Sequence, residues 1–142
     1  MRSLLDVNVL IALLDPDHVQ HEPAWRWFRA EAKQGWASCP ITQNGCVRIM
    51  SQPAYPNPFP PSAVVERLGA AVRQALHEFW PDDLSLLDGG AVDATRIHGP
   101  KQVTDVYLLA LAARRGGRLV TFDGSIPLGA VPGATRKHLG LI

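Results

Sequence analysis

Short apolar runs alternate along this chain with longer segments in which apolar residues recur at helical spacing. At the N-terminus, the apolar run 3–5 is followed, after a single acid, by an almost unbroken apolar segment, 7–14. A buried strand that turns into a buried helix has this pattern. The alternation continues over most of the 142 residues. It predicts one α/β domain spanning residues 1–142, a three-layer α/β/α sandwich with a central, mainly parallel sheet.

The remaining elements follow from the same two periodicities. Strands are predicted at 36–39, 84–86, 118–122 and 131–134, and helices at 22–33, 42–51, 90–98 and 104–113, the last with a Thr104 cap. Another helix is predicted to begin at a Ser62 cap. Its apolar stripe would consist of Val65, Leu68, Val72, Leu76 and Phe79. Five prolines within residues 53–61 exclude a helix or a central strand there, so this segment is predicted to be a surface loop.

Three aspartates follow a predicted strand or begin a predicted helix, namely Asp6, Asp105 and Asp123. In a parallel α/β sheet these places lie at the carboxyl edge of the strands, where ligands bind. Carboxylates brought together at such an edge repel one another unless a cation neutralises them. Mg²⁺ prefers oxygen ligands and is often held by one or two carboxylates together with water and phosphate oxygens. The pattern therefore predicts a shared metal site suited to phosphodiester hydrolysis.

Each of these aspartates also has a purely structural interpretation. Asp6 and Asp105 are suitable N-cap or first-turn residues of a helix, and Asp123 followed by Gly124 is a common turn sequence. The sequence alone leaves both interpretations open.

The net charge of +1 hides an uneven distribution of charge along the chain. Residues 1–95 carry 7 basic and 11 acidic side chains, whereas residues 96–142 carry 7 basic and 2 acidic ones. The C-terminal part is therefore basic enough to contact a nucleic acid backbone, despite the near-neutral total. The side chains expected to form a substrate-binding rim around Asp105 are Arg96, Lys101, Arg114, Arg115 and Arg118.

The apolar N-terminal segment lacks the features of a secretory signal. Asp6 and Asn8 interrupt it, and the acidic segment 15–17 follows where small residues would precede a cleavage site. No stretch approaches the roughly 20 apolar residues of a membrane span. Cys39 and Cys46 match no zinc pattern and are predicted to be buried free thiols. We therefore expect a cytoplasmic protein that has no membrane partner.

Three segments together resemble the motifs of PIN-domain ribonucleases, and most closely those of VapC-type toxins of bacterial toxin–antitoxin pairs. The segments are 4–10 (LLDVNVL), 103–112 (VTDVYLLALA) and 119–123 (LVTFD), in the order and at the separations of the family. The resemblance spans nearly the whole chain. It implies a Mg²⁺-dependent endoribonuclease, with Mn²⁺ as a substitute, that cleaves structured RNA such as tRNA or ribosomal RNA. It also implies a homodimer that a cognate VapB-like antitoxin inhibits.

The resemblance also implies roles for individual residues. Asp6 and Asp105 match the usual metal ligands of the family, and Asp123 matches a further catalytic acid near the metal. Asn8 and Thr121 match polar positions that support these acids.

One feature of the family is absent from this chain. Family members commonly carry a glutamate at the start of the helix after the second strand, whereas segment 41–48 (ITQNGCVR) contains no acid. Fewer ligand charges should weaken metal binding. Gln43 or Asn44 is expected to orient a metal-bound water instead.

Two other functions stay open on the sequence alone. The incomplete acidic set is compatible with a catalytically weak PIN-like module that binds RNA or protein. The chain is also compatible with an RNA-processing nuclease that has no antitoxin. If an antitoxin exists, we expect its surface at residues 22–33, where Trp27 lies off the face shared by Trp25 and Phe28.

Overall fold

The computed structural model describes residues 1–142, and at its centre is a five-stranded sheet in which all neighbouring strands are parallel. The order across the sheet is β3-β2-β1-β4-β5, so the first strand of the chain lies in the middle. The strands are β1 (Ser3–Leu5), β2 (Trp36–Ser38), β3 (His77–Phe79), β4 (Arg118–Thr121) and β5 (Leu139–Leu141).

Two separate apolar clusters cover the two faces of the sheet. Leu4 and Leu119 belong to one cluster, whereas their chain neighbours Leu5 and Val120 belong to the other. Successive residues of a strand point to opposite faces, so β1 and β4 contribute to both clusters. Burial on both faces is typical of a parallel sheet. The predicted three-layer α/β/α sandwich with a parallel sheet is confirmed.

Five α-helices pack on this sheet, and one of them supplies most of one face. The buried residues 106–112 of the last helix lie in the cluster of Leu4, while the first, third and fourth helices contribute to the cluster of Leu5. None of the helices is long and apolar enough to cross a lipid bilayer. The helices are α1 (Val7–Leu14), α2 (His21–Glu31), α3 (Pro40–Met50), α4 (Pro61–Val72) and α5 (Val103–Arg114).

The helix predicted to carry an apolar stripe as far as Phe79 ends at Val72. Residues 77–79 form β3 instead, an edge strand paired with β2. The Leu76 carbonyl accepts a hydrogen bond of 2.9 Å from the Trp36 N–H, and the Phe79 side chain is half exposed. The stripe is therefore wrong beyond Val72, because the backbone of this segment is used in sheet pairing that local periodicity does not reveal.

The segment between β3 and α5 contains neither of the two elements predicted for it. The strand at 84–86 and the helix at 90–98 are wrong, and short 3₁₀ turns at Ala94–Arg96 and Pro100–Gln102 are found instead. The glycines at its centre favour such irregular backbone over a helix. The segment is held by tertiary contacts, among them a hydrogen bond of 2.8 Å from the Asp93 N–H to the Ala130 carbonyl.

The last edge strand is β5 and not the predicted segment 131–134. Gly140 lies beside β4 at a place where a Cβ would come within 3.2 Å of Val120 Cγ2. With only three residues and a glycine at its centre, β5 is too short for its periodicity to be recognised in the sequence. The predicted caps Ser62 and Thr104 are also wrong, because both residues lie inside helices that begin one residue earlier.

The carboxyl edge of the sheet collects the elements that carry the predicted acids. Asp6 follows β1 directly, and its N–H donates a hydrogen bond of 3.0 Å to the Val120 carbonyl of β4. Asp123 lies two residues beyond the end of β4. Only three residues connect the end of α5 to the start of β4, so α5 ends near the edge of the sheet at which β4 begins. The first turn of α5 therefore lies at the opposite, carboxyl edge, together with Asp6 and Asp123.

Gly117 provides a test of the packing between β1 and β4. A Cβ at this position would lie 2.6 Å from the Arg2 carbonyl oxygen and 2.7 Å from Trp80 Cη2. We expect Gly117→Ala to lower the free energy of unfolding by about 1–3 kcal/mol, since it overpacks a site bounded by backbone. Gly133→Ala is the matched control, because no atom lies within 4 Å of a Cβ built there. Urea denaturation measures both variants, and equal stabilities of the two would contradict this packing.

Candidate active site

Asp6 is a buried carboxylate that joins the end of β1 to the start of α1. It is the N-cap of α1, and its Oδ1 accepts a hydrogen bond of 2.7 Å from the Val7 N–H. Its Oδ2 accepts another bond of 2.7 Å from the Thr121 hydroxyl at the end of β4. Only 7% of Asp6 is exposed. Two donors thus fix a buried anion, and each of its oxygens keeps a lone pair for a further ligand.

The Thr121 hydroxyl connects Asp6 to a second predicted site acid. It accepts a hydrogen bond of 3.1 Å from the Asp123 N–H. The Asp123 Oδ1 in turn accepts hydrogen bonds of 2.6 Å from the Ser125 hydroxyl and 2.8 Å from the Ser125 N–H. These two donors hold the pKa of Asp123 below its ordinary value. Asp123 is therefore an ionised, exposed carboxylate next to the buried one.

Asp105 lies in the first turn of α5 and is half-buried. Burial raises its pKa to about 6, and the charges of Asp6 and Asp123 act in the same direction. Burial likewise raises the pKa of Asp6, although the hydrogen bonds from Thr121 and Val7 oppose this shift. The structure therefore brings the three aspartates close enough for their charges to repel one another.

These three aspartates line one open cavity of about 270 Å³ at the carboxyl edge of the sheet. Asn8 on α1 and Thr104 on α5 contribute to its wall. Another part of the wall is a single face of α3, formed by Ile41, Gly45, Arg48 and Ile49.

Gln43 and Asn44 lie on a different face of α3 and line a separate cavity between α3 and α4. The structure thus places them away from the acids, and it does not support the prediction that they orient a metal-bound water. That prediction was based only on the ability of amide side chains to form hydrogen bonds with water. Helical spacing along α3, which puts Gly45, Arg48 and Ile49 on one face, is the signal that would have identified the residues facing the acids.

Gly45 is the α3 residue of the cavity wall that packs most closely against α1. A Cβ at this position would lie 2.9 Å from Val7 Cγ2 and 3.3 Å from Val7 Cγ1. Val7 directly follows Asp6, so a longer side chain at position 45 would displace the start of α1. The α3 face therefore contributes Arg48 to the cavity wall and no acid.

The donor set suits a hard cation without forming a closed cage. Both cysteines are buried in the apolar clusters, so the cavity offers oxygen donors and no soft ligand. No three His, Cys, Asp or Glu side chains stand together as a complete metal site. Mg²⁺ keeps several waters and needs only one or two protein carboxylates. Asp6 and Asp105, whose charges repel each other, fit such a partly hydrated ion.

Arg118, one of the predicted rim residues, lies at the opposite edge of the sheet from the acids. It begins β4, where its Nε donates a hydrogen bond of 3.0 Å to Ser3 Oγ at the start of β1. Its Nη2 lies 3.1 Å from Glu31, and its guanidinium stands 5.9 Å from the centre of the Trp27 ring. The structure therefore contradicts a place for Arg118 beside the acidic cavity.

Arg114 and Arg115 are also separated from the acids. They lie at the C-terminal end of α5, whereas Asp105 lies in its first turn, roughly 14 Å away along the helix axis. Arg115 is already paired with Asp83 at 2.9 Å, and Arg114 donates to the Asp83 carbonyl at 3.3 Å. Proximity to Asp105 in the sequence is misleading here because a helix carries its two ends to opposite edges of the sheet.

The last two rim residues lie in the 3₁₀ turns that precede α5. Arg96 is 3.5 Å from Asp93 in an exposed ion pair. Lys101 is exposed, forms no ion pair, and lies in the turn that leads into α5 ahead of Asp105. Of the five predicted basic residues, Lys101 is the one that the structure leaves unpaired at the acidic end of this helix.

A second cavity, of about 400 Å³, is almost entirely apolar and is bordered by α1, α2 and α4. Trp25 and Phe28 of α2 line it together with Trp36, whereas Trp27 does not. Within residues 22–33, the concave surface is thus formed by the pair Trp25 and Phe28.

Comparison with known proteins identifies relatives along the whole chain. The family model described as PIN domain matches residues 3–128. Ribonuclease VapC44 of Mycobacterium tuberculosis is 56% identical over 142 residues, which is 100% of both chains. Ribonuclease VapC39 of the same species is 48% identical over 127 residues, covering 89% of this chain and 91% of the relative.

Solved structures with the same fold are much more distant in sequence. One is Mycobacterium tuberculosis VapC20, described as a toxin that cleaves the sarcin-ricin loop, with a TM-score of 0.64 and 12% identity over 93% of this chain and 98% of that one. Another is VapBC2 from Rickettsia felis, bound to a DNA fragment from its promoter, with a TM-score of 0.63 and 12% identity over 100% of this chain and 99% of that one.

The raised pKa of Asp105 predicts how metal-free protein responds to pH. Between the ordinary pKa of 3.8 and about 6, the folded protein binds a proton that the unfolded chain has released. Stability therefore falls as the pH rises through this range. At pH 7.5 in EDTA, we expect Asp105→Asn to raise the free energy of unfolding by about 1 kcal/mol, allowing for solvent screening of this half-exposed group.

Urea denaturation at a series of pH values measures this effect. The gain in stability should disappear below about pH 4, where the wild-type carboxyl is protonated in both states. Asp17→Asn changes an exposed acid outside the cavity and should stay within about 0.5 kcal/mol of wild type. An Asp105→Asn variant that is less stable than wild type at pH 7.5 would contradict the repulsion between the acids.

Proposed function

The chain belongs to the PIN-domain family of VapC-type ribonucleases, and from this membership we propose that it is the endoribonuclease toxin of a type II toxin–antitoxin pair. The observation that carries the proposal is the cavity in which Asp6, Asp105 and Asp123 meet. They come from three separate segments and repel one another, an arrangement that a cation and a phosphate would relieve. In this proposal residues 1–142 form one catalytic domain.

Asp6 and Asp105 are the metal ligands in this proposal, and Mg²⁺ is the ion, with Mn²⁺ as a substitute. When bound, such an ion would supply Lewis-acid chemistry, by which a water would be polarised and the charge that develops on the scissile phosphate would be neutralised. The chain's own part is to orient Asp6 through the Val7 N–H and the Thr121 hydroxyl, whose hydrogen bonds also oppose the rise of its pKa on burial. Thr121 therefore acts as a positioning residue.

Asp123 and Asn8 lie at the same cavity and have different tasks. Asp123 stays anionic because Ser125 donates two hydrogen bonds to its Oδ1, and its exposed carboxylate can orient the attacking water by accepting a hydrogen bond from it. Asn8 is exposed on α1 and can donate to or accept from the substrate.

The proposed substrate is a structured RNA such as tRNA or ribosomal RNA, and the proposed partners are a VapB-like antitoxin and a second copy of the chain. The cytoplasm, where such RNAs are found, is the proposed location. The names of the relatives support the ribonuclease activity. The likeness to VapBC2 of Rickettsia felis, which is named as a VapB–VapC pair, supports an antitoxin partner.

A second candidate is a catalytically weak module that binds RNA or protein. Segment 41–48 favours it, because it contains no acid and a Cβ at Gly45 would already lie 2.9 Å from Val7 Cγ2. Cleavage by purified protein separates the two candidates, since only the first predicts metal-dependent turnover. A nuclease without an antitoxin would cleave RNA but would lack a neighbouring gene able to neutralise it.

We expect Asp105→Asn and Asp6→Asn to lower Mg²⁺-dependent cleavage by more than about 100-fold, because each removes a charged metal ligand. Purified protein is incubated with total tRNA and ribosomal RNA, with and without EDTA, and mapped 5′ ends identify the cut sites. Expression of wild-type protein should arrest growth, and co-expression of the adjacent antitoxin gene should restore it.

Asp17→Asn is the matched control for this experiment and should cleave as wild type does. Circular dichroism of each variant shows whether the fold is intact. Cleavage at the wild-type rate by a folded Asp105→Asn variant would rule out the proposed mechanism.

Thr121→Val tests the positioning role of the hydroxyl. Its hydrogen bond lowers the pKa of Asp6, so its loss should raise that pKa and leave less of the carboxylate ionised at a given pH. The acid limb of the cleavage–pH profile, measured at a limiting Mg²⁺ concentration, should therefore move to higher pH. Thr121→Ser should restore the wild-type profile, and a Thr121→Val profile that differs only in height would indicate a structural role alone.

A further inference from the structure

Arg48 is the single basic side chain in the wall of the acidic cavity. It lies in the last turn of α3, and its side chain is exposed. None of the ion pairs of the chain includes it, and its guanidinium makes no hydrogen bond, although its backbone carbonyl accepts one from the Ser51 hydroxyl. Because Arg48 lines the same cavity as three carboxylates and pairs with none of them, its guanidinium is available for a ligand.

The charges in the cavity indicate what that ligand carries. Three ionised carboxylates together with one divalent cation leave a net charge of −1, which would repel a phosphodiester. Arg48 brings the sum to zero. Because opposite charges at such a site favour binding of the anion, Arg48 can offset the repulsion that the acids impose on RNA.

The face of α3 that lines the cavity carries Arg48 and no acidic residue. Gly45 packs against Val7 and leaves no space for a longer side chain, so the next turn of the same helix face provides the charge. The cavity is therefore anionic where β1 and β4 end and α5 begins, and cationic along α3.

We propose that Arg48 binds the non-bridging oxygens of the RNA phosphate in the acidic cavity, as a substrate-binding residue. The planar guanidinium presents paired N–H donors that match two phosphate oxygens, which a lysine cannot reproduce. This inference rests on the proposed function for the identity of the anion. It assigns the phosphate contact to α3 and not to the arginines at the far end of α5.

A merely structural role would be the interaction of Arg48 with the C-terminal end of the α3 dipole. Arg73 lies at the C-terminal end of α4, is exposed and lines none of the cavities described above, so Arg73→Gln is the matched control. Both substitutions remove one positive charge from a helix end. Only Arg48→Gln removes it from the acidic cavity.

The first measurement is the binding of a fluorescently labelled tRNA with Ca²⁺ in place of Mg²⁺, at increasing NaCl concentrations, with gels to check that the RNA stays uncut. Loss of one phosphate contact should reduce the slope of log K against log salt by about 0.7–0.9. We expect this change, and roughly tenfold weaker binding at low salt, for Arg48→Gln. Arg48→Lys should keep the slope but raise the KM of cleavage in Mg²⁺.

The second measurement is Mn²⁺ binding to RNA-free protein by calorimetry. Arg48→Gln removes a cation beside the carboxylates, so Mn²⁺ should bind more tightly than to wild type while RNA binds more weakly. Arg73→Gln should alter neither quantity. If Arg48 only stabilised α3, its substitution would change the melting temperature and would not change the affinities for Mn²⁺ and RNA in opposite directions.

An Arg48→Gln variant with the wild-type salt slope would overturn the inference. So would a lower slope accompanied by unchanged Mn²⁺ affinity, since Arg48 would then contact RNA outside the cavity. Wild-type protein that binds tRNA and Mn²⁺ as expected but cleaves no RNA would contradict the proposed function and leave the phosphate contact standing.

Discussion

A carboxylate buried at the end of the central strand imposes conditions that the surrounding fold has to meet. Burying the charge of Asp6 is costly unless both of its oxygens find donors. One donor is the Val7 N–H, which is available because α1 begins immediately after the acid. The other is the Thr121 hydroxyl, which is available because β4 lies beside β1 with Leu5 opposite Val120. The order and register of the two central strands are thus tied to one side chain.

The same carboxylate contributes to electrostatic repulsion in the metal-free cavity, and this repulsion suits the proposed binding of a cation. Asp105 and Asp123 add negative charge next to Asp6, and the pKa of Asp105 rises to about 6. Active sites commonly store electrostatic strain of this kind at the expense of stability. The arrangement becomes favourable when a cation enters, and Arg48 makes it more favourable for a phosphate. Gly45 fits this scheme because Val7, packed against it, leaves α3 no space for a further acid.

Elements with a strong local pattern could be predicted from the sequence, and short edge strands could not. The β1–α1 unit and α5 are apolar on nearly all sides, so their position inside the sandwich follows from their residues. By contrast, β3 and β5 are three-residue strands at the two edges, and both are partly exposed. Phe79 continued a helical stripe in the sequence but forms part of β3, because pairing with β2 satisfies its backbone. The three residues of β5 are too few for a strand pattern to be recognised.

For the candidate site, the sequence by itself determined which acids stand at strand ends and helix starts, because strand and helix boundaries are encoded locally. Only the tertiary structure decided which basic side chain lies beside these acids. Arg114 and Arg115 are close to Asp105 along the chain, yet α5 carries them to the other edge of the sheet. Arg48 is distant along the chain, yet α3 packs against α1 and brings it to the acids. Residues at the two ends of one helix lie far apart even though they are close in sequence. Residues on two packed helices lie close together because of their packing faces, which neither segment specifies by itself.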